Sequence, residues 1–264
     1  MGTISTVTSF IYFIYLFILI LVLSLIITIA IALLTLVERR VLSIIQRRVG
    51  PNHVGYRGRL QFIADAIKLL LKGINIPDLT NRKLFIFVPV FSLFICYTFW
   101  TNSIWGSNIM IAELEYNIVY ASIMSVIFSI CIILVGIFSR NKYSVLSAIR
   151  GCCMVLNLEI FLGFIFLFIL SYSESFSFSS IVNLQCFNFY LIYALMPIAP
   201  IIIITFLLET NRAPFDLVEA ESELIAGYTT ELGGFFFALF YLGEYFHLFF
   251  FSLIISCLLF GGWN

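Results

Sequence analysis

The chain has 264 residues, 62% of them hydrophobic and 11% charged, with 14 basic and 14 acidic side chains and a mean hydropathy of +1.11. That balance excludes a soluble globular domain, and a net charge of zero without a basic patch argues against a nucleic-acid surface. Apolar stretches of about 20 residues, long enough to cross the hydrocarbon core of a bilayer, use up most of the chain.

The pattern predicts an all-α, polytopic transmembrane helix bundle over 1–264, with about six spans and no soluble domain. The first span covers 10–37; its start carries no Lys or Arg and no small-x-small site follows, so it reads as a retained helix rather than a cleaved signal. The others are expected at 84–105, 117–139, 152–172, 188–208 and 233–260. Ten of the 14 Lys and Arg residues fall in the polar loop 38–83; Arg140, Lys142 and Arg150 follow span three, and Arg212 follows span five. The other side receives none, so the positive-inside rule puts the N-terminus outside and loops 38–83 and 209–232 in the cytoplasm or matrix. Cys96, Cys131, Cys152, Cys153, Cys186 and Cys257 lie in or beside apolar runs without metal-ligand spacing and read as small buried hydrophobes. Abundant Phe, Tyr, Ile and Asn fit an AT-rich, organelle-type coding sequence.

The loop after span one divides at Gly50-Pro51-Asn52 and Gly55. From Arg59, the residues Leu60, Ile63, Ala64, Ile67, Leu70 and Leu71 recur at helical spacing while Arg59, Asp65, Lys68 and Lys72 fall mainly elsewhere, the pattern of an amphipathic helix at a membrane surface or on a partner. A plain loop anchored by headgroups is the alternative.

The loop after span five holds six acids, Glu209, Asp216, Glu219, Glu221, Glu223 and Glu231, against one base, Arg212. Pro214 suits the first turn of a helix, on which Asp216, Glu219 and Glu223 would share one face. Carboxylates that close titrate as a coupled group and can take up or release protons. The alternatives are a solvated matrix loop or a hard-cation site, although the spacing fits neither an EF-hand nor a di-iron motif. Glu159 and Glu244 lie within spans four and six, where acids are expensive and face a cavity or a partner, or else join a helix pair through one buried hydrogen bond. His53 and His247 read as incidental lone histidines.

The segments ERRVLSIIQRRVGPNHVGYRGRLQFIADAIKLLLK (38–72) and LLETNRAPFDLVEAESELIAGYTTELGGFFFALFYLGEY (207–245) resemble the two signature regions of the subunit 1 family of respiratory complex I, the H subunit in bacteria; AIRGCCMVLNLEI (148–160) aligns between them. The resemblance covers essentially the whole chain. It implies a core membrane subunit at the junction with the peripheral arm, in NADH:ubiquinone oxidoreductase of the mitochondrial inner membrane or of a bacterial plasma membrane. It implies ubiquinone as substrate, no flavin, iron-sulfur cluster or metal in this chain, and other subunits of both arms as partners. On that resemblance Glu38, Arg39, Arg48, Asp65 and Lys68 lie at the quinone tunnel. Glu209, Arg212, Asp216, Glu219, Glu221, Glu223, Glu159, Glu231 and Glu244 form an acidic pathway coupling quinone reduction to proton translocation.

The sequence departs from the family pattern at Ala220, where many members have Gly, and at 235–240, FFFALF for GPFALF. Members normally continue with two further helices and a basic matrix loop, so the remainder is expected on a separate polypeptide, with a fragment boundary as the alternative. A related membrane-bound hydrogenase subunit, a secondary transporter and a passive anchor are the competing readings. The sequence carries no internal repeat that would favour the transporter.

Overall fold

No Gly or Pro interrupts the chain between Thr3 and Val49, and helix α1 runs unbroken over Gly2–Ile45. Its 44 residues make it about 66 Å long at 1.5 Å per residue, well beyond the predicted span 10–37. The polar Glu38-Arg39-Arg40 therefore continues the helix instead of ending it. The end comes at Arg47, whose φ of 52° is left-handed, with Arg48 N bonded to Ser43 O at 2.9 Å and Arg47 N to Ile44 O at 3.1 Å. This is the Schellman pattern of a helix C-terminus.

The computed structural model describes residues 2–74, 76–77, 80–101, 104–106, 109–110, 114–187, 190–212, 215–216, 218 and 227–263. It divides into two compact units, Met1–Lys68 and Leu69–Asn264. In the first, a 3-10 turn at Tyr56–Gly58 follows α1 and leads to α2, Gln61–Leu71, whose last turn from Leu69 is counted with the second unit. As the periodicity predicts, α2 is amphipathic; Ile63, Ile67, Leu70 and Leu71 leave its apolar side exposed in the bare chain.

The second unit is a helical bundle. Its long members are α3 (Arg82–Thr101), α4 (Asn117–Phe138), α5 (Lys142–Ser173) and a final helix, α9 (Gly234–Leu259). Between α5 and α9 come α6 (Phe178–Phe187), α7 (Leu191–Ala194) and α8 (Ala199–Glu209). A short antiparallel pair, Ile104–Gly106 with Ile109–Met110, lies between α3 and α4. Among the described residues, five helices are long and apolar enough to cross a membrane: Ile18–Ile45 of α1 together with α3, α4, α5 and α9. The protein is thus a multi-pass helical membrane protein.

Two of the predicted elements differ in the structure. The segment 188–208 is broken: α7 and α8 are separate pieces with Pro197 between them and Pro200 in the first turn of α8. Proline removes a backbone donor and favours the start of a helix over its interior. The predicted loop 139–151 is helical from Lys142, ten residues before the expected start of span four, because Asn141 caps α5 and its Oδ1 accepts from Tyr143 N at 3.3 Å.

Small residues set the close approach of α4 and α5. A Cβ on Gly136 would lie 2.7 Å from Ser144 O and 2.8 Å from Ala148 Cβ. Ser144 Oγ donates to Gly136 O at 3.1 Å, and Ser139 Oγ donates to the same carbonyl at 2.8 Å. In lipid, where apolar burial gives no preference for helix contact, small side chains and interhelical hydrogen bonds hold helices together. On α9, aromatic rings do the packing: Phe246 against Tyr97 at 4.9 Å and Phe250 against Phe99 at 4.8 Å. Gln185 of α6 ties the far end of α9 by donating to Cys257 O and Leu258 O at 3.2 and 3.0 Å.

Candidate functional site

The acid at the end of α8 is brought inside the bundle. Glu209 is only 9% exposed at its side chain, and α8 closes just beyond it through Asn211, with Asn211 N bonded to Leu208 O at 3.1 Å and Arg212 N to Leu207 O at 3.4 Å. Asn211 adopts the left-handed conformation, φ 48°, which asparagine tolerates better than most residues.

Glu209 lines a cavity of about 380 Å³ between α4 and α5, along with Ser122, Ser125, Val155, Glu159 and Phe166. The Ser125 hydroxyl lies against the Glu209 carboxyl. A second cavity of about 20 Å³, walled by Ser129, Gly151, Leu158, Glu209, Asn211 and Val218, has room for a single water molecule. Glu209 thus borders both spaces. Glu159 contributes to the larger one while its side chain is exposed on the bare chain. An acid at that depth is costly against lipid, so the open side of the cavity suits water or a polar neighbour.

Other predicted acids are placed apart from this cavity. Glu244, about midway along α9, accepts a hydrogen bond from the hydroxyl of Tyr228, which is buried. Glu231 accepts from Asn141 Nδ2 at 2.9 Å. Arg212 holds its guanidinium 4.6 Å from the centre of the Tyr245 ring. Asp216 lies in irregular backbone after the Phe215 N to Arg212 O bond of 2.8 Å. Pro214, Glu219, Glu221 and Glu223 lie outside the described residues, and with them the predicted face of three carboxylates.

In the first unit, the structure joins two of the five predicted tunnel residues. Arg39 Nη1 meets Asp65 Oδ2 at 2.5 Å, and Gln61 Nε2 donates to Asp65 Oδ1 at 3.1 Å. Arg40 donates to the Arg57 carbonyl, which fixes the turn below α1. Glu38 is half-buried, while Arg48 and Lys68 are exposed.

Several participants carry no sequence signal of their own. Ser122 and Ser125 are ordinary span serines, Tyr228 and Asn141 lie far in sequence from the acids they bind, and His247 has Nε2 only 3.9 Å from Glu209 Oε1. The expectation that all six cysteines are buried is met at Cys96, Cys131 and Cys257; Cys152, Cys153 and Cys186 are exposed on the bare chain. Among the described residues, no three His, Cys, Asp or Glu side chains converge as a metal site.

Known proteins match this chain across most of its sequence. A family model described as NADH dehydrogenase matches residues 17–264. NADH-ubiquinone oxidoreductase chain 1 of Paramecium tetraurelia is 56% identical over 231 residues, covering 88% of each chain. The proteins of the same name from Metridium senile and Chondrus crispus are each 37% identical over 230 residues, 87% of this chain and 69% and 70% of theirs. The chain belongs to the NADH dehydrogenase family.

Proposed function

We propose that this chain is a core membrane subunit of a proton-pumping NADH:ubiquinone oxidoreductase, respiratory complex I, in the mitochondrial inner membrane. The family match and the names of the relatives support the assignment to that complex. The observation that carries the chemistry is Glu209, a carboxyl bordering both a cavity shared with Glu159 and a space fit for one water. With water or a polar neighbour at the open side of the cavity, such an arrangement can pass a proton between acids.

Ubiquinone is the substrate in this reading. Its reduction to quinol takes two electrons and two protons, each carbonyl oxygen gaining one hydrogen. The electrons come from the peripheral partner subunits; this chain brings no flavin, iron-sulfur cluster or metal of its own. The first polar region forms part of the quinone-access tunnel, with Glu38, Arg39, Arg48, Asp65 and Lys68 along it. Arg39 and Asp65 hold each other there, which is what a fixed polar wall beside an apolar tail requires. The acidic pathway runs through Asp216, Glu219, Glu221 and Glu223, with Arg212 balancing charge, to Glu209 and Glu159, and on to Glu231 and Glu244. Both polar regions face the matrix, where the peripheral arm docks, and the N-terminus faces the opposite side.

The test is made in the assembled complex. E209Q, and separately the double variant E219Q/E223Q, are expected to abolish proton-coupled quinone reduction while electron transfer from NADH to an artificial acceptor continues. Quinone reduction and pumping at the parent rate in both variants would overturn the reading.

A further inference from the structure

His247 is an unexpected feature of α9. It sits about midway along a membrane-spanning helix with its side chain 4% exposed, and Nε2 has no hydrogen-bond partner among the described residues. Aromatic rings surround it: Phe128 stacks at 4.9 Å between centroids, Phe251 meets it edge-on at 4.6 Å, and Phe99 lies at 5.6 Å. In so apolar a cage an imidazole nitrogen carries an uncompensated desolvation cost unless it finds a partner. Glu209 Oε1 lies 3.9 Å from it.

We propose that His247 is a positioning residue for Glu209, hydrogen-bonding its carboxyl alongside the Ser125 hydroxyl. The inference rests on the role given to Glu209 above. Bringing 3.9 Å into the hydrogen-bond range of about 2.7–3.2 Å takes a shift of about 1 Å in the Glu209 carboxyl. A neutral imidazole suits both protonation states of a carboxyl. With a proton on Nε2 it donates to the carboxylate; with the proton on Nδ1, Nε2 accepts from the carboxylic acid. His247 thereby holds Glu209 in one place whether or not that acid carries its proton, and the rings keep the imidazole from turning away. Cys96 closes the same region by donating its thiol to Gly243 O at 3.4 Å. Gly243 also lets the Phe128 ring come close, since a Cβ there would lie 3.2 Å from it.

The experiment uses infrared difference spectroscopy on the intact complex, with the Glu209 carboxyl stretch assigned by its loss in E209Q. H247F and H247M are two apolar fillings of the same cage that remove Nε2, so a folding failure of one leaves the other. H247Q returns an amide near the Nε2 position. In the apolar variants the Glu209 band is expected to shift and coupled quinone reduction to fall; in H247Q both return toward the parent. An unshifted band in the apolar variants, or an H247Q band that matches theirs, overturns the proposal. Neither outcome bears on the complex I reading, which parent-level coupled quinone reduction in both E209Q and E219Q/E223Q would overturn.

Discussion

Asn141 serves Glu231 and its own helix at once: Nδ2 donates to Glu231 Oε1 at 2.9 Å while Oδ1 accepts from Tyr143 N at 3.3 Å. One side chain therefore starts α5 and anchors the end of the acidic region 90 residues away. Replacing it with Ala removes both bonds and is expected to cost about 1–2 kcal/mol. N141D keeps the cap but sets a carboxylate against Glu231. Hydrogen exchange at Tyr143 to Val145 should speed up in N141A and stay near the parent in N141D. The thermal stability of the solubilised complex should fall in both. A fully stable N141D would show that the Glu231 contact contributes nothing.

Gly58 occupies a position closed to other residues. Its φ is 70°, and a Cβ there would lie 2.2 Å from the Pro51 carbonyl oxygen, a backbone atom that cannot yield as a flexible side chain does. G58A is expected to destabilise the turn between α1 and α2 by more than about 2 kcal/mol. Limited proteolysis within residues 46–60 should accelerate. Gly73 is the control, since a Cβ there meets nothing within 4 Å; G73A should change stability by no more than about 0.5 kcal/mol.

The Arg39–Asp65 pair predicts a different signature. Its side chains are 48% and 33% exposed, so its contribution to folding is small, and a double-mutant cycle on thermal stability should give a coupling of about 0–1 kcal/mol. If the pair shapes the quinone path, D65N should nevertheless raise the KM for quinone several-fold while the complex assembles normally. A D65N enzyme with an unchanged quinone KM would remove Asp65 from the path.

The sequence announces what depends on one segment alone. Apolar runs mark α3, α4 and α9 to within a few residues, and the spacing from Leu60 to Leu71 marks the amphipathic α2. Glu159 and Glu209 attract notice because an acid beside or within an apolar run is expensive. What escapes is decided between segments or by one capping atom. Nothing in KYSVLSAIRG says that Asn141 carries α5 ten residues back into an apparently polar loop. His247 reads as incidental until α8 is packed beside α9, because periodicity reports which face a residue occupies and not what the facing helix presents. The break between α7 and α8 has a visible cause, Pro197 and Pro200, yet the apolar run around them reads as continuous.

Gly163 offers a way to ask whether the larger cavity is itself the proton path. It lines that cavity, yet a Cβ placed on it meets nothing within 4 Å, so a side chain has room to grow without moving backbone. G163A should strengthen α5 by about 0.5–1 kcal/mol, the usual helix preference for Ala over Gly, and leave coupling intact. G163F, by contrast, sets a ring into a space of about 380 Å³ beside Glu159 and Glu209 and expels water from it. Because α5 keeps its backbone, assembly and NADH oxidation with an artificial acceptor should match the parent. Proton-coupled quinone reduction should fall at least several-fold, since a carboxyl relay with its water removed has no intermediate carrier. Pumping at the parent rate in G163F would mean that protons pass elsewhere, and Glu209 would then have to exchange its proton through the Asn211 side alone.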